Sequence, residues 1–222
     1  LTGNKTTVSR VAYFSLLLGL FIIFILALNS NITVLYLVLI CCFLGYLYQG
    51  PPFRLGYKGL GEPLCWIAFG PFATAAALIV VSPKSSFNSI PWETALMIGA
   101  GPAMATTLVL FCSHFHQINQ DAAVGKKSPL VVLGTHRAAK VLPWMVYLIF
   151  LLELLPVINR VWPITTLICL ISLPSGIELI KLIKRHHNQP ELIKNSKFLA
   201  LRFQTINGLL LSLGFALSYF FS

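Results

Sequence analysis

Aspartate is nearly missing from this sequence. Asp121 is the only one, and Asp and Glu together number 6 against 16 Lys and Arg in 222 residues. Charged residues make up 10% and hydrophobic residues 57%, which excludes an ordinary water-soluble domain and makes lipid the solvent around most of the chain. The net charge of +10 does not point to nucleic acid, because the Lys and Arg lie in short connectors between apolar runs and not on a water-exposed groove. Paired cysteine spacing is also lacking. Cys41, Cys42, Cys65, Cys112 and Cys169 fall inside apolar segments and read as small membrane-helix residues, not as zinc ligands or reporters of a redox compartment. The opening stretch LTGNKTTVSR has neither the order nor the content of a signal peptide.

What the chain has in quantity is apolar sequence of membrane-crossing length, about 20 residues per helix. Seven spans are expected, near Val11 to Leu28, Ile32 to Tyr48, Pro63 to Val81, Trp92 to Phe115, Ala138 to Leu155, Pro163 to Ile183 and Phe198 to Phe221. Only a helix satisfies its own backbone in lipid, so the fold class is all-α, a polytopic membrane helix bundle. Pro71, Pro102, Pro143 and Pro174 fall within four spans and predict kinks, and Gly70, Gly99, Gly101 and Gly176 predict close helix contacts. Alternating the connectors places every Lys and Arg except Lys84 and Arg160 at one face, which the positive-inside bias makes cytoplasmic or its organellar equivalent. That face also carries the long polar connectors, Gln49 to Glu62, His114 to Lys140 and Lys184 to Lys197. Chemistry is expected there.

The first connector, YQGPPFRLGYKGLGE, packs four glycines and two prolines around Arg54, Tyr57, Lys58 and Glu62. Gly and Pro set a tight path that lets backbone approach a ligand, and Arg54 with Lys58 can meet phosphate oxygens. A basic loop touching anionic lipid headgroups has the same composition. In the second connector, Gln117 and Asp121 share a helix face if the preceding helix runs past His116. One carboxylate plus an amide oxygen makes half of a Mg²⁺ site, since that ion keeps waters and is completed by substrate phosphates. A solvated acid balancing nearby lysines is the competing reading. Gly125, Lys126, Lys127 and Ser128 follow, a turn with two cations that suits phosphate but lacks the context of a P-loop. His114 and His116 read as core or interfacial histidines. Glu153 is expected to snorkel to the sparse face, and Glu178 to pair with Lys181 or face the cavity.

The segments GPPFRLGYKGLGE (Gly50 to Glu62) and FHQINQDAAVGKKSPLVVLGT (Phe115 to Thr135) resemble the UbiA superfamily of intramembrane aromatic prenyltransferases, in particular its 1,4-dihydroxy-2-naphthoate branch. The FHQ, GK and SPLVVLGT wording is most similar to cyanobacterial and plastid phytyltransferases of phylloquinone synthesis. The resemblance implies a nine-helix bundle with a central cavity, of which seven helices stand here as a single membrane-embedded domain over residues 1–222. About two helices and a first Asp-rich motif are expected upstream of Leu1, so that this stretch alone would be inactive. It further implies Mg²⁺ bound at Asp121 and, through its amide oxygen, Gln117. Arg54, Lys58, Lys126 and Lys127 would hold the diphosphate of a phytyl or polyprenyl donor, with Asp121 and Lys126 central to catalysis. Tyr57, Glu62 and Gln117 would orient the acceptor or support the site. The place implied is a cyanobacterial or thylakoid-type membrane, with the site on the cytoplasmic or stromal side. Another aromatic acceptor and a small multi-helix transporter or receptor are the alternatives, as is a non-catalytic assembly protein. The transporter is disfavoured because the spans hold few polar groups near mid-membrane.

Overall fold

The computed structural model describes residues 4–82 and 89–221; Lys84, placed above on the sparse face, lies outside them. Every expected span is helical: α1 (Lys5–Asn29), α2 (Thr33–Gln49), α3 (Gly61–Val81), α4 (Trp92–Ala123), α5 (Pro129–Ile158), α6 (Ile164–His186) and α7 (Ser196–Phe221). Six of these helical stretches are long and apolar enough to cross a membrane, and α2 is a shorter apolar helix. No strand occurs among the described residues. The protein is a multi-pass membrane protein.

Of the four prolines expected to kink their spans, Pro71 and Pro174 mark a change of winding, whereas Pro102 and Pro143 lie inside α4 and α5 with helical backbone maintained around them. Pro71 has no N–H to donate, and the winding over Ala68–Phe72 widens to a π-type turn. Pro174 instead opens the α-helical half of α6, after a 3₁₀ run over Ile164–Ser172. The wide turn brings Gly70 against α4, where a Cβ on Gly99 would stand 3.0 Å from the Gly70 carbonyl. Bare backbone against bare backbone is how helices approach closely in lipid, where water supplies no driving force between them.

The second polar connector is much shorter than its composition suggests. α4 runs on to Ala123 and α5 starts at Pro129, so most of the stretch from His114 to Lys140 is helical. Gly134 (φ 75°) bends α5 inside the SPLVVLGT segment. α4 is the central element, packing on α3, α5 and α7. Leu108, Phe111, Cys112 and Phe115 of α4 meet Leu142 and Ile149 of α5, Leu179 and Ile183 of α6, and Phe203 of α7 in the main core. α1 lies on α2 with a single buried residue, Ala27.

Two glutamates depart from expectation. Glu153 does not snorkel; it is buried, and the Asn207 side chain donates to its Oε2 (3.1 Å) and to Ser172 Oγ (3.3 Å). A polar group deep between helices is better served by a neighbouring amide than by a stretched path to water, because Gly101 clears room for its stem. Glu178 pairs with Arg202 across helices, not with Lys181. Lys181 stands one turn away on α6, but it is Arg202 of α7 whose Nη2 donates to Glu178 Oε2.

Candidate active site

Three connectors meet at one end of the bundle. In the first, the glycines allow the chain to wrap the Tyr48 ring: a Cβ on Gly56 would sit 2.9 Å from the Tyr48 carbonyl, and one on Gly61 3.1 Å from its ring. The 3₁₀ turn Leu55–Lys58 is entered through Arg54, held in the left-handed region (φ 42°), and left through Gly59 (φ 81°). A non-glycine residue holds that conformation at a cost of about 1–2 kcal/mol, offset here by Arg54 N–H donating to the Gly50 carbonyl (3.0 Å) and Tyr57 N–H to the Arg54 carbonyl (2.8 Å). The Arg54 guanidinium stands 5.5 Å from the Tyr57 ring centroid.

The second connector is tied to the first by backbone. Lys127 N–H donates to the Tyr57 carbonyl (2.8 Å), and Gly59 passes so close that a Cβ there would lie 3.0 Å from the Lys127 oxygen. The third connector joins through Thr135 Oγ1 and His187 Nδ1 (3.1 Å) and through Ser196 Oγ, which donates to the Cys112 carbonyl (3.1 Å).

Against this frame runs a chain of four charged or titratable side chains. Asp121 is only 7% exposed. Lys126 turns back across Gly125 so that its N–H donates to the Asp121 carbonyl (2.8 Å) and its Nζ to Oδ1 (3.2 Å). On the other side His114, fully enclosed, donates from Nδ1 to Asp121 Oδ2 (2.8 Å), since a carboxylate only accepts. The second ring nitrogen of His114 faces Glu62 Oε1 at 3.3 Å. Ser128 lies buried close to the same aspartate. Asp121 is therefore no solvated loop acid.

His114 was not expected here. Positions 114 and 121 are two helical turns apart and face the same way, but the helix had to be known to run beyond residue 116 before that spacing meant anything. Gln117 is half-buried on the same face, one turn before Asp121, without a side-chain hydrogen bond among the described residues. Arg54, Lys58 and Lys127 are exposed and make no ion pair among the described residues. Tyr57 serves through its carbonyl and its ring under Arg54, and nothing brings it to Asp121.

No cluster of three or more His, Cys, Asp or Glu among the described residues is arranged to hold a metal alone. A hard divalent ion completed by phosphate needs fewer protein oxygens. Asp121 with Gln117 fits part of such a site. Glu62 Oε1 has only the ion-pair contact with His114, and its Oε2 is buried with no hydrogen-bond partner among the described residues, a further demand for positive charge or N–H donors nearby.

Beside the site lies a cavity of about 810 Å³ between α2, α3, α4 and α7, with an almost wholly apolar lining. Tyr48, the residue that the connector glycines wrap, stands in its wall. A cavity of similar size near Arg160 and Trp162 contains none of the candidate residues.

The profile of the UbiA prenyltransferase family matches residues 1–202. Over 216 residues the chain is 41% identical to 2-carboxy-1,4-naphthoquinone phytyltransferase of Synechocystis sp., covering 97% of this chain and 68% of that protein. It is 39% identical over 225 residues to the chloroplastic 2-carboxy-1,4-naphthoquinone phytyltransferase of Arabidopsis thaliana, covering 98% of this chain and 58% of that one. No solved structure matches it.

Proposed function

We propose, from the premise that this chain belongs to the UbiA prenyltransferase family, that it moves a phytyl or longer polyprenyl group from its diphosphate onto 1,4-dihydroxy-2-naphthoate. The observation that carries this reading is the buried Glu62–His114–Asp121–Lys126 chain set between two basic connectors, beside a large apolar cavity whose wall includes Tyr48, the residue that the first connector wraps. An isoprenoid tail belongs in such a cavity and a diphosphate at such a mouth. The whole protein's acceptor and donor are inferred from its relatives' names together with this chemistry.

In this reading Arg54, Lys58 and Lys127, which make no ion pair among the described residues, serve the diphosphate oxygens from the locked connectors, Arg54 by its planar fork and the lysines as point charges. Lys126 neutralises Asp121 and stays within reach of the same oxygens. His114 and Glu62 hold the carboxylate in orientation from behind. Family members generally use a divalent metal; magnesium, held by Asp121 and the Gln117 amide oxygen, would supply charge neutralisation of the leaving diphosphate. The allylic C–O bond breaks with its electron pair leaving on the diphosphate. The apolar walls exclude water while the electron-rich ring forms the new C–C bond, and loss of the ring carboxyl as carbon dioxide restores aromaticity. The site is assigned to the cytoplasmic or stromal side of a cyanobacterial or thylakoid-type membrane, in keeping with the basic connectors.

The test is the full-length protein in membranes, supplied with phytyl diphosphate and 1,4-dihydroxy-2-naphthoate, with and without Mg²⁺. Metal-dependent appearance of prenylated naphthoquinol supports the reading. Absence of product with any isoprenoid diphosphate, or turnover in Asp121→Ala equal to wild type, overturns it.

A further inference from the structure

Lys197 stands at the start of α7 in the wall of the 810 Å³ cavity, and it is the one charged residue among the described residues of that lining. Its neighbours divide the cavity into two unlike walls. The α2 and α3 side is mainly hydrocarbon, with Leu37, Leu44, Ala68 and Phe72, and carries no charged group among the described residues; Tyr48, Cys41 and Cys65 are its only heteroatom-bearing side chains there. The α4 and α7 side carries the charge and most of the polar groups: Ser113, Lys197, and the pair in which Gln204 Nε2 donates to Thr106 Oγ1 (2.7 Å). An isoprenoid chain needs only the first wall.

A half-buried ammonium at an apolar cavity is costly unless something anionic meets it. Lys197 finds no carboxylate in the protein: it makes no ion pair among the described residues, and its Nζ lies 5.1 Å from the Phe198 ring centroid, a modest substitute. His116, one turn on from Ser113, lies in electrostatic reach of Lys197, and its buried Nδ1 has no hydrogen-bond partner. His116 stands behind the lining and Ser113 Oγ donates to the Leu110 carbonyl (2.6 Å), so Lys197 is left as the one charge at the edge of a cavity otherwise built for hydrocarbon.

We propose that Lys197 receives the carboxylate of the aromatic acceptor and makes the α4–α7 wall the acceptor's side of the cavity. This inference rests on the prenyltransferase reading above. The diphosphate has its own cations on the two locked connectors, whereas no other cation lines this cavity for a ring-borne carboxylate. The smaller recess of about 390 Å³ beside Trp66 and Phe111 is ill-suited, because Glu62 lines it with unsatisfied oxygens that repel an anionic ring. Holding the carboxylate through one point charge orients the ring against the donor's allylic carbon while leaving the reacting face free.

The experiment compares wild type with Lys197→Gln, Lys197→Met and Lys197→Arg in the full-length protein. KM is measured separately for phytyl diphosphate and for 1,4-dihydroxy-2-naphthoate, and repeated with 1,4-naphthoquinol, which lacks the carboxylate. Thermal midpoints in detergent verify folding. The expected result is a rise of about ten- to hundredfold in acceptor KM for Gln and Met, with little change in donor KM, partial rescue in Arg, and no discrimination among variants with 1,4-naphthoquinol. A rise in donor KM alone assigns Lys197 to the diphosphate and overturns the proposal, as does an unchanged acceptor KM in variants that remain folded. If wild type prenylates no naphthalene acceptor, the underlying reading fails as well, an outcome distinct from wild-type turnover with indifferent Lys197 variants.

Discussion

Two buried acids within the helices of this membrane protein show how differently the same group is kept. Glu153 is met by an amide and sits beside a hydroxyl: Asn207 holds one oxygen, Ser172 shares that donor, and no cation pairs with it among the described residues. Asp121 is met by a lysine and an imidazole, and its neighbours are tied by backbone to a second connector. A carboxyl ringed by neutral groups knits helices together, in the manner of interhelical hydrogen bonds in lipid. A carboxylate ringed by positive and N–H groups at the edge of a cavity is poised to exchange partners with a charged ligand. The comparison separates a polar cluster that links helices from the one proposed to do chemistry.

The largest effect should follow loss of Asp121. Asp121→Ala in the full-length enzyme is expected to lower turnover per folded molecule by about a thousandfold, measured by product formation at saturating donor. Turnover per folded molecule equal to wild type, as is expected at Glu153, would erase the distinction between the two acids. Next comes His114, which touches Asp121 but is not proposed to touch substrate. His114→Phe fills the same space without either nitrogen, and a ten- to hundredfold loss is expected, about what removal of an orienting partner costs. The half-saturating Mg²⁺ concentration should rise with it, a readout that a purely packing histidine would leave unmoved.

Those two positions also mark how far the sequence carries. The spans were legible because lipid permits few alternatives to the helix, so Thr33–Gln49 or Trp92–Ala123 needed only an apolar run. Asp121, Lys126, Arg54 and Lys58 stood out as candidates because rare charges lay in or beside glycine-rich connectors. His114 was hidden because its meaning lies in two contacts, one seven residues away along a helix whose end was uncertain and one across to Glu62 on another element. Glu153 was misread for the same reason. Its partner Asn207 is 54 residues distant, and no local pattern announces a tertiary hydrogen bond. Lys197 passed as one more cation of the basic face until the cavity wall gave it a position.

A smaller effect tests whether the connectors truly share one backbone frame with Asp121. Gly59 is left-handed and faces the Lys127 carbonyl, so Gly59→Ala should cost about 1–2 kcal/mol locally and raise donor KM by up to about tenfold. Protein lacking this coupling would show a change in stability without any change in donor KM. The corresponding glycine beside Glu153, Gly101, should behave the other way: its enlargement presses on the Glu153 stem and would appear in the thermal midpoint.

The smallest expected effect is the most pointed. Glu153→Gln retains an oxygen to accept from Asn207 and alters the volume hardly at all. If Glu153 works as a neutral helix-to-helix link, Glu153→Gln should leave both the midpoint and turnover close to wild type. Glu153→Ala, by contrast, leaves the Asn207 amide without that acceptor and should destabilise by about 1–3 kcal/mol while each folded molecule turns over normally. Denaturation in detergent, paired with turnover per folded molecule, separates these outcomes. A Gln variant that folds like wild type but loses activity would mean that the charge of Glu153 matters to the reaction, and the division between a structural acid and a chemical one would fall. Near-neutrality in Gln with instability in Ala would instead fix Asp121 as the acid whose charge is used, since at that position the amide should fare almost as badly as the truncation.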